Sequence, residues 1–98
     1  MKSAKRASRE AAETLAIQAL AFIAADSEQL SRFLGMTGLA PEQIRTAARV
    51  DGFLAGVLEH MLADENLLIG FADSAGIDPA EVARAHGSLG RRAERNAL

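Results

Sequence analysis

The sequence predicts an all-α protein: a compact bundle of five or six short helices, built from two pseudo-repeats offset by 38 residues. Three observations carry this expectation. Residues 25–48 return as residues 63–86, with matches at Asp26/Asp64, Leu30/Leu68, Phe33/Phe71, Gly38/Gly76, Pro41/Pro79 and Ile44/Val82. Apolar residues recur at i, i+3, i+4 and i+7, the spacing of a helix face. Nearly half of the 98 residues are hydrophobic, yet the aromatics are four Phe with no Trp or Tyr. The core must therefore come from Leu, Ile, Val, Met and Ala, which suits packed helices better than strands.

Taken in order, residues 1–9 read as a basic arm able to join the first helix, since Lys, Arg and Ala are good helix formers. From residue 10 to 25, Ala12, Leu15, Ala16, Ala19, Leu20, Ile23 and Ala24 hold the helical stripe. Ile17, Ala21 and Phe22 fall off it, so this helix is apolar almost all round, as buried or partner-covered helices are. Asp26 is an N-cap whose carboxylate can accept from free N–H groups, with Gln29 placed to complete a capping box. Leu30, Phe33 and Leu34 then face one way until Gly38 supplies the left-handed residue that ends a helix. Pro41 fits the first position of a short third helix with Ile44, Ala47 and Ala48 on its inner face.

Residues 50–62 are the clearest amphipathic segment, with Val50, Phe53, Leu54, Val57, Leu58, Met61 and Leu62 in register. Shifted back by 38, these positions fall on the stripe of the first helix, where small residues stand in place of large ones. Complementary packing of two unequal halves follows. Asp64 caps again, Leu67, Leu68 and Phe71 pack, and Gly76 stops the helix. Asp78, Pro79 and Glu81 form a fuller start signal than Ala40 and Pro41 do. Val82 and Ala85 finish the inner face, and Gly87 and Gly90 lead into a basic tail. The expected organisation is an arm over residues 1–9, one helical domain over 10–89 with repeats 12–48 and 50–86, and a tail over 90–98. Two copies are too few for a solenoid, so a closed bundle is expected.

Charge divides the chain. Residues 1–9 carry four cations and no acid, residues 10–83 hold twelve acids against Arg32, Arg45 and Arg49, and the remainder has four Arg and Glu94. An acidic body with basic ends is not the basic surface that nucleic-acid binding ordinarily needs. The basic start followed by LAIQALAFIAA resembles a secretory signal, but Glu10, Glu13 and Gln18 interrupt it and the fold needs the segment. No apolar run approaches the ~20 residues of a membrane span. With no cysteine, disulfides and thiolate chemistry are excluded. A cytoplasmic protein is expected.

The residues that carry catalysis are scarce. His60 and Asp64, one helical turn apart, could share a metal, but no third ligand is visible, and a histidine near a helix end suits the macrodipole. His86 has the same explanation. No phosphate-binding glycine loop or nucleophile elbow is present. The chain is therefore read as non-enzymatic, with no catalytic, cofactor-binding or metal residues and no cofactor. A helix-turn-helix is the sharpest rival, because Leu34, Gly38 and Ile44, and again Ala72, Gly76 and Val82, have its spacing. Its recognition helices would offer Arg45, Arg49 and Arg84 for nucleic-acid contacts, with the basic tails supporting them. Acids at both helix starts oppose that use, because base contacts are made there. The remaining class is a protein-interaction or scaffolding module with an unknown protein partner, in which Ile17 and Phe22 could form the seam of a homodimer.

The segment AETLAIQALAFIA, the doubled F-x-x-x-x-G-[LI]-x-P turn, and FLAGVLEHMLADENLLIGFADSAGIDPAEVARA resemble domain of unknown function 3572. That family comprises small proteins found mainly in alphaproteobacteria. The similarity spans residues 10–89 and implies a bacterial, cytoplasmic, all-helical domain. It brings no catalytic or binding residues to this chain.

Overall fold

The computed structural model describes the backbone of residues 2–97 and the side chains of residues 9–90. Six α-helices follow one another: α1 (Lys2–Ala24), α2 (Ser27–Thr37), α3 (Ile44–Ala47), α4 (Asp51–Leu62), α5 (Glu65–Ala75) and α6 (Pro79–Ala97). A 3-10 turn, Pro41–Gln43, leads into α3, and no strand occurs among the described residues. The fold is all-α. Its radius of gyration is 13.1 Å, close to the ~13 Å of a compact domain of this length.

The punctuation seen in the sequence forms locally. Asp26 Oδ1 accepts from the N–H groups of Glu28 and Gln29 at the start of α2, and Asp64 Oδ1 accepts from Leu67 N–H at the start of α5. Gly38 and Gly76 lie at φ 75° and 69°, a region open to glycine because it has no Cβ. The two stops differ in detail. Gly38 N–H donates to Leu34 carbonyl alone, whereas Gly76 N–H reaches Asp73 and Ile77 N–H reaches Ala72, the paired bonds of a Schellman ending.

Two capping boxes do not close. Asp26 N–H is already taken by the Ile23 carbonyl, so Gln29 has no donor to reach back to, and its Oε1 is buried without a protein partner. At α6, Asp78 caps through Ala80 N–H, but Glu81 turns to Arg84 instead. The poor cap at Ala40 receives a substitute: Gln43 Oε1 accepts from its N–H at 2.8 Å.

The centre of the bundle is α1, α4 and α6, which approach one another most closely, with α2 against α1 and α5 against α4. From α1 come Ala12, Ala16, Ala19, Leu20 and Ile23. From α4 come Leu54, Ala55, Val57, Leu58 and Met61, and from α6 come Val82, Ala85 and Leu89. Ala16 and Ala19 have no exposed surface, so at these small residues α1 comes close to α4 and α6, whose larger side chains share the same core.

The structure corrects the expected bounds at three places. Val50 is not the first residue of the buried stripe. It is the extended N-cap of α4, with its side chain 57% exposed, because the chain must turn there out of α3. Ala24, at the last position of α1, is exposed. Gly87 and Gly90 do not end the last helix: α6 runs through both, bringing the wholly buried Leu89 onto the face of Val82 and Ala85. At the other end, the backbone of the expected arm belongs to α1 from Lys2. The side chains of the arm before Arg9, and of the tail from residue 91, lie outside the described residues.

Candidate functional site

The expected seam residues are parted by the fold. Ile17 is half exposed, on the solvent side of α1. Phe22, five positions on, projects about 140° away round the same helix at 3.6 residues per turn. It packs against α5, with its ring 5.6 Å from that of Phe71 and beside Gly70, where a Cβ would stand 3.6 Å from the Phe22 ring. Phe22 belongs to the partly buried layer around the core, and a single flat seam cannot contain both residues.

The candidate nucleic-acid residues are also scattered. Arg45 lies in α3 and Arg49 in the link to α4, both exposed. Arg84 lies on α6, where its Nη2 donates to Glu81 Oε1 at 2.8 Å. Val82, at the helix-turn-helix spacing from Gly76, is fully buried. The turn itself lies at the surface, with Gly76 exposed and Ile77 half-buried.

His60 has more company than its sequence context suggests. It is partly buried near the end of α4, its ring 5.2 Å from that of Phe33 on α2 and nearly perpendicular to it at 76°. Phe33 in turn stands edge-on to Phe53 at 5.9 Å. Asp64, one turn after His60, caps α5 with Oδ1 and presents Oδ2 to Arg32 Nη1 of α2 at 3.9 Å. Burial holds the His60 imidazole below its ordinary pKa of 6.5, Asp64 opposes that shift, and Arg32 adds to it. No group of three or more His, Asp or Glu gathers for a metal among the described residues. His86 lies on α6, partly buried.

Between the end of α1, α2 and the start of α5 lies an open cleft of about 520 Å³. Phe22 and Leu67 give it apolar walls, and Asp26, Arg32, Asp64 and Asn66 contribute polar groups. Sequence reading missed this meeting of the two caps with Arg32, because helical spacing offers Arg32 only Glu28 while Asp64 lies 32 positions along the chain. Both carboxylates are already engaged as caps, which gives them a structural occupation: they neutralise the free N–H groups of two helix starts.

Among the described residues, no helix is long and apolar enough to cross a membrane. Comparison with curated proteins returns no match, and neither does comparison with solved structures. The two caps, the two glycine stops and the central α1–α4–α6 packing all fall within residues 9–92, which match the family described as "Protein of unknown function (DUF3572)", and the chain belongs to that family.

Proposed function

We propose that the protein is a non-catalytic interaction or scaffolding module of the bacterial cytoplasm, acting through contacts with other proteins. The supporting observation is the apolar surface on α1, the helix that also supplies much of the core. Ile17 is 50% exposed there, and Ala21, one turn on, is exposed as well. Covering such a turn with a partner is favourable, because it removes apolar surface from water. A second copy is the simplest partner, since the same face on two molecules can close a two-fold dimer. Phe22 takes no direct part, because α5 occupies its side. This function requires no cofactor, metal or membrane.

Light scattering over a range of concentrations tests the self-association. The apparent mass should rise with concentration for the native chain and stay monomeric for Ile17→Glu with an unchanged helical circular dichroism spectrum. A native chain that is monomeric at every concentration would remove the homodimer and leave only an unlike partner. A second function, DNA binding beside the Gly38 turn, draws on the exposure of Arg45 and Arg49. It requires salt-dependent gel retardation that weakens when these two arginines are changed to Gln.

A further inference from the structure

We propose that His60 is a pH-sensitive latch on α2: protonation of its imidazole loosens that helix from the corner where α4 meets α5. Two consecutive residues of α2 hold it to this corner, while its other packing is against α1. Phe33, 1% exposed, inserts its ring beside Phe53 and His60 of α4, and Arg32 reaches Asp64 at the cap of α5. The charged groups acting on His60 are Asp64, on the α4–α5 corner, and Arg32, on α2.

A neutral imidazole fits this place as an aromatic neighbour of Phe33. An imidazolium does not. It must give up water in a partly buried site, which disfavours the charged form. It repels Arg32 across the same gap. It also competes with Arg32 for Asp64 Oδ2, because Asp64 Oδ1 is committed to Leu67 N–H. Each way of relieving the charge undoes a contact of α2. Either the ring swings out from Phe33 or Asp64 turns from Arg32. When α2 lifts, the imidazole regains water and its ordinary proton affinity, so acid favours the lifted state by mass action. Burial places His60 below its ordinary 6.5, so the latch is closed at neutral pH and opens on acidification. The loop at Asp26 and the turn at Gly38 keep the helix tethered at both ends.

Amide hydrogen exchange on the full chain from about pH 8 to about pH 5, corrected for intrinsic rates, tests the latch across the range where histidine titrates. Protection of α2 should fall several-fold with acid relative to α1 and α4, and the fall should vanish in His60→Gln. Equal protection of α2 and α4 at every pH would overturn the proposal, as would the same acid loss in His60→Gln. Arg32→Gln, at an exposed position, provides a second reading through the NMR titration of the His60 ring. Its midpoint should move to higher pH once the repelling cation is gone. An unmoved midpoint would show that Arg32 and His60 do not communicate, which also overturns the latch.

Discussion

Glycine in this chain has opposite values at different positions. Gly76 closes α5 at φ 69°, where a Cβ is strained whatever the space around it, so Gly76→Ala should destabilise by about 1 kcal/mol. Gly35 lies inside α2, and a Cβ added there would meet nothing within 4 Å, so Gly35→Ala should stabilise by about 0.5–1 kcal/mol. Urea unfolding of the two variants checks both signs. His60 gives the residue scale its pH dependence. Its pKa is lower folded than the 6.5 of a free histidine, so the unfolded chain binds the proton more readily. Its stabilising contribution is whole above 6.5 and is lost as pH falls through the folded value. The urea midpoint should therefore decline between about pH 7.5 and pH 5, and the decline should be smaller in His60→Gln. The caps and stops were legible in the sequence because Gly and Pro act through their own backbone, and each Asp carboxylate accepts from N–H groups only two or three residues on. The tie from Arg32 to Asp64 was not, because it joins residues 32 positions apart through the fold alone.

At the scale of the element, local signals and packing disagree about where helices end. The weak start at Ala40 leads only to a 3-10 turn and four residues of α3, whereas the carboxylate cap at Asp78 leads to the 19 residues of α6. Gly87 and Gly90 read locally as a stop. They are overridden because Leu89 must stay on the helical face to reach the core, where its exposure is 0%. Gly87, the glycine the helix must cross to reach Leu89, costs about 1 kcal/mol within a helix, less than the ~2–5 kcal/mol that truncating a buried leucine typically removes. Leu89→Ala should accordingly lower stability by about 2–5 kcal/mol. A loss below about 0.5 kcal/mol in chemical denaturation would mean that α6 does not depend on its packing past Gly87.

For the whole molecule, the decisive feature is the close approach of α1, α4 and α6 over the small residues of α1. Ala16, with no exposed surface, has no room for a larger side chain. Ala16→Leu should cost about 1–3 kcal/mol by overpacking, measured as a lower unfolding midpoint, while the same change at exposed Ala21 should leave stability nearly unaltered. By itself the sequence determined the helical class, the capped starts, the glycine stops and most of the buried stripe, because each depends on local backbone geometry or on periodicity along one helix. The tertiary structure alone decided that Phe22 turns to Phe71 while Ile17 faces solvent, that α6 continues past two glycines, and that His60, Arg32 and Asp64 share one corner. Those outcomes depend on which helix lies against which, and that is settled by how the side chains of all six fill the space between them.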